Sequence, residues 1–556
     1  MSPTKRFFKL LNMDRKDIYQ IFFYAIFAGL VSLSLPLGVQ AIINFIQSGR
    51  VSVSWVVLVI FVVLGVALVG FLAFMQLRIT ENLQQKIFVR SSFEFAYKLP
   101  KIKFEDLYPN VYPPELANRF FDTITIQKGS SKILLDFSAA LLQIGFGILL
   151  LSLYHPFFIV FGLLLVILLY FIFKYSYNPG VETSLKESKY KYEVADWLQE
   201  IARNKTSFRN QTNFEYALHK NDAIVANYLQ FREKHFAVIK RQFGQLVFFK
   251  ILITAGLLLL GGYLVITQQM NIGQFVASEI VILLVINSVE KIIIGLETFY
   301  DVLTSLEKIG QVTDMEFEAE SESVIDSCYT AINLELENVS LQFPESRDTL
   351  LKKISLHILP SEKIILSGKN GSGKTTLIRI LSGILAPTSG YFYVNDDTFR
   401  KINLNQYRSQ IATITQGETP FEGTLLENIT FNDPNISNDE IKWAIDSVQL
   451  TSFIKTLPNG LDTEILPEGK QLSSSNAQKI LIARSILKKP KILFYEDPTD
   501  RMDDETARKI IDFICQPEHK WTVVVTSTNQ YWKEKASRTI IMEKGRIIND
   551  IKINHA

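Results

Sequence analysis

Six stretches, at about 18–45, 53–77, 133–153, 157–177, 246–266 and 272–294, are each apolar over the roughly 20 residues that a helix needs to span a bilayer. In lipid every backbone N–H and C=O must be paired within the chain, which makes such runs helices. An all-α membrane part of six spans is therefore expected. The connections alternate in length. Those at 47–52, 154–156 and 268–271 are very short. Those at 78–132 and 178–245 are long, polar and helical in pattern, and carry Arg78, Lys86, Arg90, Lys98, Lys101, Lys186, Lys189 and Arg203. The positive-inside tendency puts these loops and both termini in the cytoplasm.

The 556 residues leave room for more than one domain. A net charge of +2 gives no reason to expect nucleic acid as a partner. The two cysteines, Cys328 and Cys515, are far apart and make no disulfide framework or metal cluster. The start, MSPTKRFFKLLNMDRK, is basic and amphipathic without the apolar core of a signal peptide. It reads as a helix on the membrane surface, with Phe7, Phe8, Leu10 and Leu11 inserted among the lipids. An acidic, serine-containing stretch at 315–330 reads as a linker. The expected division is a membrane domain at 1–311, a linker at 312–330 and a soluble α/β domain at 331–556.

Two segments of the long connections, 111–120 and 209–220, are candidates for coupling to the soluble domain; the alternative is that they are simply cytoplasmic loops. Glu279 falls inside the sixth span, where charge is costly and marks a functional position by default. It either lines a water-filled cavity or stands neutral or paired against another helix. Lys250 is expected to snorkel at the cytoplasmic boundary.

In the soluble part GKNGSGKT, from Gly368 to Thr375, matches G-x-x-x-x-G-K-[ST]. An apolar strand (363–367) precedes it and an apolar helix (377–381) follows. Glycines let backbone N–H groups curl around phosphates, and a helix N-terminus favours their charge. Lys374 would reach the β and γ phosphates and Thr375 would hold Mg²⁺. Gly368, Asn370, Gly371, Ser372, Gly373 and Thr376 complete the expected ATP contacts.

The whole chain, six spans followed by this motif, resembles a half-transporter of the ABC exporter type, closest to type I secretion and peptide exporters. No N-terminal cysteine peptidase of that group is expected. The fold implied is a multi-domain membrane protein, an all-α six-helix transmembrane domain followed by an α/β P-loop NTPase. By this resemblance Phe343 stands where an aromatic stacks on adenine, and Gln416 where a glutamine senses Mg²⁺ and the membrane domain. QLSSSNAQKILIARSIL stands for the signature and its helix, KILFYED for the Walker B strand, Asp503 for the D-loop acid, and VVVTSTNQ for the strand before the switch histidine.

Four positions depart from that pattern. The signature keeps Ser473, but serines, Ser475 among them, replace its two glycines. Glu496 stands where an Asp holds the Mg²⁺ shell. Asp497 stands where a Glu polarises the attacking water, on an arm one bond shorter, and a misplacement near 1 Å costs about 10²-fold. Thr528 takes the place of the histidine, and a hydroxyl lacks imidazole's charge. The implied activity is ATP-driven transport with slow hydrolysis, in a dimer in which Lys374 of one copy and Ser473 of the other hold each ATP. The bacterial inner membrane, membrane lipid, a second half-transporter and an unspecified cargo are the expected surroundings. The alternatives are a weak subunit of a heterodimer, or an ATP-gated regulator that transports nothing.

Overall fold

The computed structural model describes residues 1–47, 53–107, 113–318, 329–343 and 348–553. The first short loop, Val111 and Tyr112 of the first coupling candidate, and most of the linker with Cys328 lie outside the described residues. Two compact units emerge: Met1–Lys101 with Val111–Met315, and Ile102–Asn110 with Glu316–Ala556.

The first unit is helical. It comprises α1 (Pro3–Met13), α2 (Arg15–Ser32), α3 (Ser34–Gln47) and α4 (Val53–Lys98); after α5 (Phe104–Leu107), which belongs to the second unit, come α6 (Pro113–Asn118), α7 (Asp122–Tyr154), α8 (Phe157–Arg203), α9 (Gln211–Ile266) and α10 (Ile272–Thr313). Among the described residues five stretches are long and apolar enough to cross a membrane: Arg15–Gln47, Val53–Lys101, Pro113–Tyr154, Phe157–Arg203 and Gln211–Ile266. The first is two helices, because Pro36 in the first turn of α3 lacks the N–H that would continue α2. The sixth expected span falls on α10. It is helical, but its flanks are covered by α3, α7, α8 and α9, and Val281, Val285, Val289 and Ile292 are buried.

Helices α4, α8 and α9 run 46, 47 and 56 residues. At ~1.5 Å per residue each is more than twice the ~30 Å of hydrocarbon to be crossed. The long connections are therefore helix extensions, as their pattern suggests. The turn between α8 and α9 lies at 204–210, so most of the second coupling candidate forms the first turns of α9. Trp197 fixes that hairpin: its Nε1 donates to the Ala217 carbonyl at 3.1 Å, and the Lys220 ammonium sits 3.9 Å from its ring.

The expectation for the N-terminal helix is corrected here. Phe7 does not enter lipid; it is buried against Phe299 with ring centroids 5.7 Å apart, while Phe8 next to it is exposed. Leu10 and Leu11 also pack on this cluster. Helix α1 is seated by Arg6, which donates to Asp314 at 2.9 Å over Gly310 of α10, where a side chain would collide with the guanidinium. The Lys250 ammonium pairs with Glu290 at 2.6 Å. Glu279 is half-buried on α10.

The second unit holds β1 (Leu334–Gln342), β2 (Thr349–Ile358), β3 (Lys363–Ser367), α11 (Lys374–Leu381), β4 (Ser389–Val394), β5 (Asp397–Thr398), α12 (Leu404–Ser409), β6 (Ile411–Ile414), β7 (Gly423–Thr424), α13 (Leu425–Thr430), α14 (Asn438–Ser447), α15 (Thr451–Thr456), β8 (Glu464–Ile465), α16 (Ser474–Leu487), β9 (Ile492–Glu496), α17 (Asp504–Cys515), β10 (Thr522–Thr526), α18 (Gln530–Lys535), β11 (Arg538–Glu543) and β12 (Arg546–Lys552). One sheet runs β12-β11-β3-β10-β9-β6, parallel except for β12; a second, antiparallel, runs β2-β1-β4-β5. All residues of β9 and β10 are buried, which is why both read as unbroken apolar runs rather than alternating ones.

The stretch after α4 was expected in the membrane part, yet it packs in this unit. Ile102 bridges Phe317, Lys103 pairs with Glu316 at 2.6 Å, the Arg379 guanidinium of α11 lies 4.8 Å from the Phe104 ring, and Glu105 accepts the Ala386 N–H at 3.0 Å.

Gly180 of α8 faces the buried Tyr300 ring so closely that an added Cβ would lie 2.4 Å from its Cζ. Tyr300 cannot step aside, since Gln242 donates to its hydroxyl at 2.9 Å and that hydroxyl donates to Ser176 at 3.2 Å. Gly180→Ala is expected to cost about 1–3 kcal/mol and to lower the thermal unfolding midpoint of the purified protein. Gly256→Ala, where a Cβ meets nothing within 4 Å, is expected to leave the midpoint unchanged.

Candidate nucleotide site

The C-terminal ends of β3, β9 and β10 deliver loops to one edge of the parallel sheet, where open α/β sheets bind ligands. From β3 the chain enters the glycine-rich loop. Gly373 adopts φ +100° as the residue that caps α11, and Gly368 adopts φ +148° with no room for a side chain beside the Met542 carbonyl. The loop leaves the free N–H groups of α11 facing outward, a ready site for anions. Lys374 folds back over it, donating to the carbonyls of Gly368 and Lys369 at 2.8 and 3.0 Å.

A cavity of about 590 Å³ opens there. Gly368, Asn370, Gly371, Ser372, Gly373, Lys374, Thr375, Thr376, Gln416, Asp497 and Thr528 all line it, all of them expected from the sequence. Leu350, Thr526, Ser527 and Lys533 line it as well and were not foreseen.

The two acids stand in different surroundings. Glu496 ends β9 and is buried; its Oε2 accepts the Gln416 N–H at 2.9 Å, while its Oε1 has no hydrogen-bond partner. A buried, half-satisfied carboxylate is expensive unless something compensates it. A divalent cation is such a group, and the donor set of carboxylate, threonine hydroxyl and glutamine amide is the hard oxygen chemistry that Mg²⁺ takes. The residues fit that ion.

Asp497 follows in the left-handed region, at φ +46°, a conformation that Asp tolerates better than most residues. Its N–H donates to the Thr526 carbonyl at 2.8 Å. Partial burial, and then the negative charges of Asp500 and Glu496, push its carboxyl up to about 6 against the pull of Lys374.

Thr528 is not free to act as a donor to a ligand. Its hydroxyl and N–H donate to Asp500 Oδ2 at 2.5 and 3.1 Å, and the Ser527 hydroxyl donates to Oδ1 at 2.5 Å. Asp500 lies in the same short stretch as the two acids. Its pairing with residues 27 and 28 positions later needed the adjacency of β9 and β10, which local pattern does not reveal.

Five expected residues are not in the cavity lining: the buried Glu496, and Phe343, Ser473, Ser475 and Asp503. Phe343 is a correction: it is only 4% exposed and packs in the core between the two sheets, with little ring surface left for a base. Ser473 caps α16 by accepting the Asn476 N–H at 3.2 Å, and Ser475 follows in its first turn. Asp503 caps α17, accepting the Thr506 N–H at 2.9 Å, and these hydrogen bonds hold its carboxyl below the usual range. None of these three serves the cavity of its own chain.

Residues 351–500 match the ABC transporter family model, and residues 18–289 match the model for the ABC transporter transmembrane region. Among curated proteins, the chain is 32% identical over 242 residues to an uncharacterized ABC transporter ATP-binding protein, YfiB, of Bacillus subtilis, covering 44% of this chain and 42% of that protein. It is 30% identical over 279 residues to an ATP-dependent lipid A-core flippase of Thiobacillus denitrificans, covering 50% of this chain and 48% of the flippase. The chain thus spans about half the length of the curated relatives it matches. Among solved structures, a bacterial Atm1-family ABC exporter with ATP bound superposes with a TM-score of 0.85 over 97% of this chain and 95% of that one, at 17% identity. With a matched membrane region, a matched ATPase region in that order and an exporter fold along its length, this multi-pass membrane protein belongs to the ABC transporter family.

Proposed function

We propose that the chain is an exporter-type half-transporter that works as a dimer and couples ATP binding and slow hydrolysis to movement of a substrate across the membrane. The observation that carries this reading is the cavity at the ends of β3, β9 and β10, lined by Lys374, Thr375, Gln416 and the Asp497 carboxylate, in a chain that crosses the membrane several times. Export is the direction because the structural neighbour is named an exporter and a relative a flippase. The bacterial inner membrane, with both termini cytoplasmic, is the setting we assign, from the basic cytoplasmic connections.

In this reading the glycine loop and the α11 N-terminus bind the phosphates, and Lys374 leaves its two carbonyls to reach the β and γ phosphates. Thr375, Gln416 and Glu496 would hold Mg²⁺, which neutralises charge developing on the phosphates. Asp497 takes the proton of the attacking water. Ser473, Ser475 and Asp503 are exposed or half-exposed at helix starts, placed to complete the site of a second copy rather than their own. Closure of two such units would pull on the membrane helices, and Ile102–Asn110, part of the ATPase unit and joined to α4 through Leu99–Lys101, is one covalent route beside the Met315–Glu316 junction.

Slow turnover follows from three features: the short arm of Asp497, its carboxyl near 6, and a Thr528 committed to Asp500. The same features favour one second reading, a weak subunit paired with a standard half-transporter. Hydrolysis by the purified full chain in lipid separates the two. We expect slow turnover that Lys374→Ala and Asp497→Asn each reduce by about 10²-fold or more. Absent turnover, with ATP binding that still requires Lys374, would mean that a partner subunit is needed or that the chain is an ATP-gated regulator.

Asp497 accepts a proton only when ionised. A carboxyl raised to about 6 is mostly protonated below that pH, so kcat/KM for ATP should rise with pH through about 6 and level off above it. A flat profile between pH 5 and 8 would remove Asp497 from the role. Asp497→Glu lengthens the arm toward the water and is expected to raise kcat, by up to about 10²-fold if reach is the limit.

A further inference from the structure

Lys533 lines the cavity, and no motif accounts for it. It belongs to α18, which starts at the cap Asn529 directly after Thr528. Asn529 accepts the Tyr531 N–H at 2.9 Å, and the next side chain, Trp532, is buried in the core with its Nε1 donating to Thr499 at 3.0 Å. That anchor fixes where its neighbours point. The other lysine of the last turn, Lys535, is spent on Asp512 at 2.6 Å. Lys533 has no acid or carbonyl partner among the described residues, is half-buried, and with Lys374 supplies the cationic side chains of the cavity wall.

The position where a switch histidine is expected offers no cation, and its hydroxyl is held by Asp500. Lys533 stands five residues further along the same segment, and lines the cavity with Ser527 and Thr528, which Asp500 ties to the Asp497 side of the site. An unpaired ammonium on a four-carbon stem, facing a cavity shaped for a polyanion, is suited to a charge-assisted hydrogen bond with a phosphate oxygen. We propose that Lys533 binds the terminal phosphate of ATP in this site, supplying from α18 the positive charge that Thr528 lacks. This rests on the reading of the cavity as an ATP site. Lys374 approaches from the start of α11, so the two ammonium groups would hold the triphosphate from separate elements.

The test is the affinity of the full chain in lipid nanodiscs for ATP and for ADP, each with Mg²⁺, in wild type, Lys533→Gln, Lys533→Arg and Lys374→Ala. Lys533→Gln should weaken ATP by about tenfold and ADP by less than about twofold, and Lys533→Arg should restore ATP binding. A purely structural role would shift both nucleotides together. Equal losses for ATP and ADP, or no loss of either, would overturn the proposal. Lys374→Ala separates the two readings: nucleotide binding lost there but untouched in Lys533→Gln leaves the ATP site standing and removes Lys533 from it. Wild type that binds neither nucleotide would sink both.

Discussion

Strand β10 lies between β3 and β9, and the register of those two pairings decides which side chains can meet. Val523 to Thr526 pair with Lys363 to Leu366 on one side, and Thr522 to Thr526 with Ile492 to Glu496 on the other. All three strands therefore end at one level. The glycine loop leaves β3, the two acids close β9, and Ser527 and Thr528 leave β10, without any further device to bring them together. A slip of one residue in β9 would turn Glu496 to the opposite face and exchange it with Tyr495, which is buried in the apolar core. Continuous burial of β9 and β10 on both faces makes such a slip costly, because every residue in them is already fitted to a neighbour.

That rigidity sets where the two neighbouring acids stand. Glu496 carries its carboxylate one methylene further than Asp would, into a buried position where the Gln416 N–H meets one oxygen. Asp497 has less reach, and its backbone turns through the left-handed region immediately before Pro498. The longer arm thus sits at the buried end and the shorter one at the open end. Asp500 adds a third negative charge on the open side and accepts hydrogen bonds from Ser527 and Thr528. Thr528 thus serves an acid of its own chain.

Much of this was legible in the sequence because it is local. The phosphate loop, the strand before it and the helix after it lie within twenty residues, and their spacing carries the geometry. The long membrane helices were legible because lipid imposes a length and a composition. What could not be read were pairings across the fold. Phe7 and Phe8 are adjacent in a basic amphipathic stretch, and only the position of Phe299 decides which one is buried. Phe343 carries the right ring at the right place in the motif order, yet the core between the sheets takes it. Lys533 and Lys535 differ in nothing that a sequence shows; Asp512, on α17, claims one of them.

The segment Ile102–Asn110 shows the same limit at the scale of a domain. Composition places it in the membrane part, because it lies between two long helices. Its contacts are nonetheless with Glu316, Phe317, Arg379 and Ala386, all in the ATPase unit. Arg379 is on the helix whose N-terminus faces the cavity, five residues after Lys374. This eight-residue helix starts at the glycine loop and carries Phe104 against its side. Glu105 accepts the Ala386 N–H just beyond that helix, which gives the segment a second hold on the same element. The segment that follows α4 is thereby fastened, by a ring and by a carboxylate, beside the helix that begins at the phosphate loop.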